Sequence, residues 1–283
     1  MAVLMVALLD GTIIDPAQPI VRADDQGVIR GDGVFDALLA IRGQARDLDL
    51  HLERLARSAA MLDLPAPKED GYRRAVDALL GAWDWATYPE AMFRFILTRG
   101  PEGISDKPGG WVAAAPLDEA SRRQRAGGVA VMLLDRGFEG PEIAHLPWLL
   151  PGAKSLSYGI NMAAKRYAAA RGADDVVFHS PSGRLLEGPM ASVVLDLDGV
   201  LATPPFEGIL RSITIEELIS RAPAAGIEAQ FRELHRDDFD RCRGAWMLSS
   251  SRVVARISHV DGRELPTSPL DAEVRRLMDV PGE

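Results

Sequence analysis

Lys154 lies in a turn-forming stretch, Pro151-Gly152-Ala153-Lys154-Ser155-Leu156-Ser157-Tyr158, directly after the apolar run Leu146-Pro147-Trp148-Leu149-Leu150. Apolar surroundings disfavour the ammonium form of a lysine and free its amine to attack a carbonyl carbon. Further along, an isolated acid stands in Leu185-Leu186-Glu187-Gly188. Ser249-Ser250-Ser251 follows an apolar, strand-like stretch, and Gly208-Ile209-Leu210-Arg211-Ser212-Ile213-Thr214 leads into the start of a helix. Hydroxyls combined with N–H groups at a helix start form a natural phosphate cradle. Together the set offers an amine for an aldehyde, an acid for a ring nitrogen and donors for a phosphate. A phosphorylated pyridine aldehyde requires those three things of a protein.

Each piece also has an ordinary reading: a solvated lysine, a turn glutamate, a serine-rich turn, a helix cap. His51, Arg54 and Ser58 share one face of a helix, away from its leucine stripe, and periodicity alone makes them a solvent-facing patch. Arg94 sits inside an apolar strand, which reads as a buried arginine in need of a partner, an anionic ligand being one candidate.

Other chemistries lack their residues. Gly31-Asp32-Gly33-Val34-Phe35-Asp36 begins like a dinucleotide fingerprint, but Asp36 replaces the third glycine and Ala37-Leu38-Leu39-Ala40-Ile41 reads as a strand where that fingerprint needs a helix. There is no nucleophile elbow and no Walker loop. His51, His145, His179, His235, His259 and Cys242 show no metal-ligand spacing, so no metal is expected.

The elements that must position these groups fall into two regions. With 283 residues, 47% of them hydrophobic, the chain can bury a large core and two domains are expected. A net charge of −9 argues against a nucleic-acid surface but allows a local basic pocket for an anionic small molecule. One cysteine excludes an intrachain disulfide and suits a reducing compartment. The apolar stretch 2–9 has no basic flank, is too short to span a bilayer and reads as a strand, so a soluble, cytoplasmic protein without a membrane partner is expected.

Residues 1–117 read as a small α+β domain: a hairpin across Asp10-Gly11, a second across Arg42-Gly43-Gln44, helices over 49–62 (capped by Asp49) and 72–85, and strands over 91–98 and 111–115. The polar, basic and then glycine-rich segment 118–128 reads as an interdomain loop. Residues 129–283 form a larger domain with strands at 129–134, 175–179, 193–197, 200–203, 246–248 and 253–257. Its helices run over 157–171, closed by Gly172, and from a capping box at Thr214-Ile215-Glu216-Glu217 to about 220.

Taken in order, several stretches resemble the fold type IV family of pyridoxal-phosphate enzymes, which includes branched-chain aminotransferases, D-amino-acid aminotransferases and 4-amino-4-deoxychorismate lyases. They are Arg30-Gly31-Asp32-Gly33-Val34-Phe35, His51-Leu52-Glu53-Arg54-Leu55, RFILTRG at 94–100, the segments 154–158, 186–188, 203–205 and 208–214, and 249–262. The resemblance implies a two-domain α+β fold with a pseudo-barrel C-terminal domain, pyridoxal 5'-phosphate as cofactor and a homodimer. It implies that Lys154 is the Schiff-base lysine and that Glu187 pairs with the pyridine nitrogen. Arg54, Ser212, Ile213, Thr214, Ser249 and Ser250 would hold the phosphate. Arg94 or Arg99 would bind a substrate carboxylate, and Phe35 and Tyr158 would wall the pocket. The spacing Lys154-Ser155-Leu156-Ser157 looks like the lyase and D-amino-acid branch, and the stretch Arg30 to Phe35 like the lyases. The implied reaction is conversion of 4-amino-4-deoxychorismate to 4-aminobenzoate and pyruvate, the alternative being amino transfer to a 2-keto acid. Two places depart from the lyase pattern: Asp36-Ala37 stands for Glu-Thr, and Pro101-Glu102-Gly103-Ile104-Ser105 lacks that family's arginine.

Overall fold

The computed structural model describes residues 4–103 and 107–282. Ala2 and Val3 of the first expected strand, and Ile104 and Ser105 of the loop after Arg99, lie outside the described residues. The chain divides into two compact units. One runs to Asp118 and takes in Ala153–Tyr158; the other comprises Glu119–Gly152 and the chain from Gly159 onward. The lysine segment therefore leaves its sequence neighbours and joins the first unit.

In the first unit the order is β1 (Met5–Leu8), β2 (Ile13–Ile14), α1 (Gln26–Ile29), β3 (Gly33–Ile41), β4 (Gln44–Ala45), α2 (Leu48–Met61), α3 (Glu69–Ala82), β5 (Glu90–Thr98) and β6 (Gly109–Pro116). The strands make one antiparallel sheet, β2-β1-β6-β5-β3-β4. Strand alternation sorts its two faces. Val34, Leu38, Phe93, Phe95, Leu97, Val112 and Ala114 are buried, on the face that receives α2 and α3. Directly opposed residues share a face, so Phe35 and Ile96, and Ala37, Arg94 and Ala113, occupy the other one. Arg94 is exposed there, correcting the buried arginine expected from its apolar neighbours. Its phase in the strand turns it away from the core face, and the alanines on either side are too short to cover it.

Helix α2 buries more than its leucine stripe. Leu52, Leu55 and Ala59 are buried, and so are His51, Arg54 and Ser58, which periodicity had put in solvent. Its N-cap is Asp47, in the left-handed region and without a side-chain cap bond, while Asp49 lies in the first turn rather than at the cap. Helix α3 starts earlier than expected because Glu69 and Asp70 supply the acidic first turn that favours a helix start.

The second unit runs α4 (Glu119–Gly127), β7 (Val129–Asp135), α5 (Gly140–Ile143), α6 (Gly159–Ala169), β8 (Asp175–His179), β9 (Ser192–Leu197), β10 (Val200–Thr203), α7 (Ile213–Arg221), β11 (Glu228–Phe231), β12 (Gly244–Ser249), β13 (Val253–Val260), β14 (Arg263–Glu264) and α8 (Asp271–Leu277). Its sheet, β11-β10-β9-β12-β13-β7-β8 with β14 on β13, mixes parallel and antiparallel pairs. Val129, Val177, Val193, Leu195, Met247, Ala255 and Ile257 are among its core residues. The β9–β10 turn places Asp198 and Gly199 at φ 57° and 92°, the double positive φ of the hairpin turn that an Asp-Gly pair favours.

Two local readings change here. The segment 118–128 is not a loop, since α4 occupies most of it; Glu119 pairs with Arg123 one turn on, at 3.0 Å, and Arg125 is buried. Helix α7 is capped by Ser212, whose hydroxyl accepts the Ile215 N–H at 3.4 Å, so Thr214 lies inside the first turn. The strand at β11 and the helix α8 carried too little periodicity to be read.

The lysine segment is added to the edge of β3. The Phe35 N–H donates to the Lys154 carbonyl at 2.9 Å and the Leu156 N–H to the Gly33 carbonyl at 2.8 Å, with Val34 opposite Ser155. A Cβ on Gly33 would come within 2.7 Å of both Leu156 Cδ1 and the Leu97 carbonyl. Gly33→Ala is therefore expected to lower stability by about 1–3 kcal/mol, as overpacking does, measured by urea unfolding against wild type.

Candidate active site

The first unit gathers Phe35, Lys154 and Tyr158. Lys154 Nζ stands 4.8 Å from the Phe35 ring centroid and 6.0 Å from that of Tyr158. The two rings meet edge to face at 5.2 Å. Aromatic faces tolerate the amine in either protonation state, since the cation gains from the ring quadrupole and the neutral form from apolar contact. The Lys154 N–H donates to Ser58 Oγ at 3.2 Å, which fastens the segment to α2 as well as to β3.

One turn back on α2 lies a buried ionic cluster that sequence reasoning did not assemble. Asp36 is fully buried. Its Oδ2 accepts from Arg54 Nε at 2.7 Å, and its Oδ1 from Arg54 Nη2 at 2.8 Å and the Ala37 N–H at 2.7 Å. His51 Nδ1 lies 2.7 Å from the same Oδ1 and, facing a carboxylate that only accepts, carries the proton. Burial alone would raise the Asp36 carboxyl, but the Arg54 charge and its hydrogen bonds, with His51, outweigh that and hold it far below the usual carboxylate range. Burial pushes the His51 imidazole below its ordinary value against the pull of Asp36, so His51 is neutral near pH 7. Arg54 is thus brought within one helical turn of the lysine's anchor, Ser58. The signal in the sequence was Asp36 itself, an acid on the core face of an apolar strand.

Arg99 does not join this group. Its Nε and Nη2 donate to Asp32 at 2.6 and 3.1 Å, and its Nη2 and Nη1 donate to the Leu62 and Asp63 carbonyls at 2.6 and 3.2 Å. The hydrogen bonds to Asp32, ahead of the cost of partial burial, raise its basicity further. Arg99 ties the turn before β3 to the end of α2. Arg94 stands on the open sheet face between Ala37 and Ala113.

The second unit carries the acid and the hydroxyls. Glu187 follows Leu185 and Leu186, which turn back onto β8; its carbonyl accepts the Phe178 N–H at 2.9 Å, and its Oε1 accepts the Leu210 N–H at 3.3 Å. Leu210 lies just before Ser212, so the acid is anchored to the lead-in of α7. Ser212, Ile213 and Thr214 are buried at the start of this helix, whose first amides have no intrahelical acceptor. Helix α7 packs against β12, and β12 ends at Ser249 in the turn that holds Ser250. Each unit taken by itself carries groups of the kinds pyridoxal phosphate needs: the first an amine near aromatic rings, the second an anchored carboxylate and buried hydroxyls at a helix start.

Comparison with known proteins agrees. A family model for class IV amino-transferases matches residues 33–260. A bifunctional aminodeoxychorismate lyase / D-amino acid transaminase of Mycobacterium tuberculosis is 40% identical, over 97% of this chain and 98% of that protein. A hypothetical aminotransferase from Mycobacterium tuberculosis, solved in a PLP-bound form, is 40% identical with a TM-score of 0.92, covering 98% of this chain and 97% of that one. Its α-ketoglutarate- and PMP-bound form gives 41% and 0.93, covering 97% of each chain. A fold IV-transaminase from Curtobacterium pusillum gives 39% and 0.89, covering 98% of this chain and 99% of that one. The chain belongs to the class IV aminotransferase family, the fold type IV pyridoxal-phosphate enzymes. It is an enzyme, and its cofactor is pyridoxal 5'-phosphate.

Two outcomes follow from the Asp36 cluster. Asp36→Asn is expected to lower the unfolding free energy by about 3 kcal/mol, because it leaves Arg54 buried without its counter-charge; urea unfolding reads this. Both shifted groups bind fewer protons folded than unfolded, so stability rises with pH. The Asp36 contribution is lost only below its unfolded value of about 3.9, and that of His51 as pH falls from about 6.5. Unfolding free energy is therefore expected to fall between pH 7 and pH 5, and less steeply for His51→Gln.

Proposed function

We propose that the enzyme cleaves 4-amino-4-deoxychorismate to 4-aminobenzoate and pyruvate, a step of folate biosynthesis. The observation that carries this reading is the end-to-end, 40% identity to a protein named for that lyase activity. Arg94, exposed between the short side chains Ala37 and Ala113, supports it as a cation for a substrate carboxylate. A second reading is D-amino acid transamination, favoured by the other half of the same relative's name and by the solved relative that holds α-ketoglutarate.

Bound pyridoxal phosphate supplies an aldehyde for amines and a protonated ring that draws electrons from the substrate Cα. In our assignment Lys154 would hold the cofactor aldehyde through its Nζ, and the same Nζ would take up and return a proton once substrate is bound. The Glu187 carboxylate keeps the ring nitrogen protonated. Ser212, Ile213, Thr214, Ser249 and Ser250 hold the phosphate together with Arg54, which Asp36 fixes in place. Phe35 and Tyr158 wall the reacting amine, and Arg94 takes a substrate carboxylate. Departure of pyruvate leaves an aromatic ring, which drives the lyase direction. We further assign the enzyme to the cytoplasm, in keeping with its buried free thiol Cys242. We also assign it a homodimeric state, in keeping with Trp148 at 72% and Ile160 at 65% exposure in one chain.

Borohydride treatment of the yellow holoenzyme is expected to fix the cofactor covalently, and Lys154→Ala to abolish the adduct, read by mass spectrometry. Aminodeoxychorismate should yield pyruvate with no keto acid added. Absence of pyruvate, with turnover of a D-amino acid and 2-oxoglutarate, would move the answer to transamination.

A further inference from the structure

Two buried arginines with no part in the assignments above converge on the serine turn between β12 and β13. Arg125, on α4, is 5% exposed and its guanidinium reaches two successive backbone carbonyls. Nε donates to the Arg252 carbonyl at 3.1 Å and Nη2 to the Ser251 carbonyl at 2.9 Å. Arg252 is 4% exposed. Its N–H donates to Ser249 Oγ at 3.2 Å, and that hydroxyl lies 3.3 Å from Ser251 Oγ. Its Nη1 stands 2.7 Å from Asp175 Oδ2 and donates to Gln124 Oε1 at 3.2 Å. Asp175 is fully buried and opens β8, the strand that pairs with Glu187.

The backbone of this turn is not one its residues would choose. Val253, which pairs with Ser249 across the hairpin, has φ 61°, in the left-handed region that β-branched residues avoid. Strain of that kind persists only where the surroundings over-determine the conformation, and it collects at functional sites. Here the surroundings are the Arg125 fork, rigid and planar and matched to two carbonyls at once.

We propose that Arg125 is a positioning residue for the phosphate contact of the serine turn, with Arg252 and Asp175 as its base. The guanidinium holds the 251 and 252 carbonyls, the Arg252 N–H holds the Ser249 hydroxyl, and the turn keeps the conformation in which its hydroxyls and amides meet a phosphate. Through Asp175 the same network ties the turn to the strand beside Glu187. This inference rests on assigning the 249–251 turn to the cofactor phosphate.

The test compares pyridoxal phosphate with pyridoxal, which lacks the phosphate, titrated by absorbance into the full chain after removal of cofactor. Arg125→Met is expected to weaken pyridoxal phosphate binding on the order of tenfold, as loss of charged hydrogen bonds does, and to leave pyridoxal binding unchanged. Arg125→Lys, which cannot span both carbonyls, should fall between the two and supplies the measurement if the methionine variant does not fold. Equal weakening of both ligands, or of neither, overturns the positioning role. Ser250→Ala separates the two levels. If it lowers the preference for the phosphorylated ligand while Arg125 variants do not, only the positioning inference fails. If it leaves that preference intact, the serine turn is not the phosphate site and both fail.

Discussion

The Asp36 carboxylate, fully buried between Arg54 and His51, is the constraint on which the first unit turns. A lone carboxylate could not occupy that position; with a two-pronged arginine, an imidazole and a backbone N–H it is satisfied. The same contacts decide how α2 lies on the sheet, because Asp36 is on β3 while Arg54 and His51 are on the helix. Ser58, one turn further along, then meets the Lys154 N–H, and β3 itself receives the lysine segment as an added strand. The Lys154 segment is thus held by the same helix and strand that the ion pair locks together.

The second unit uses a similar device for different work. Its buried charges, Arg125, Arg252 and Asp175, fix a turn and the strand leading to Glu187 rather than a helix on a sheet. In both units the charged groups lie beneath the residues assigned to the cofactor. Removing Asp36 from beside Arg54, or Asp175 from beside Arg252, would leave an uncompensated charge in a poorly solvated place.

Much of this was legible in the sequence. The hairpins at Asp10-Gly11 and Arg42-Gly43 follow from local turn chemistry, and the strands around Phe93, Val194 and Met247 from their apolar runs. Charged residues were where local reasoning failed. Arg94, set in an apolar strand, is exposed because alternation places it on the sheet's open face. Arg54 and His51, on the polar side of α2, are buried because that side faces Asp36. Arg125, in a basic run that looks like surface, is buried because two carbonyls far along the chain require a donor. In each case the partner is distant in sequence, and periodicity reports only what a residue's neighbours are doing.

By itself the sequence determined the chemistry on offer: an amine, an acid and phosphate donors in the order of a known family, hence the cofactor. Those are properties of residue types and spacing, which survive without coordinates. Only the tertiary structure decided which residues hold that chemistry in place. Lys154 joins the first unit, although the chain on both sides of it belongs to the second, because the edge of β3 offers backbone partners there. Among the arginines, Arg94 is exposed on its strand while Arg54, Arg125 and Arg252 are spent on buried carboxylates and carbonyls. That division depends on which charges and carbonyls long-range packing brings together, and a one-dimensional pattern holds no information about those distances.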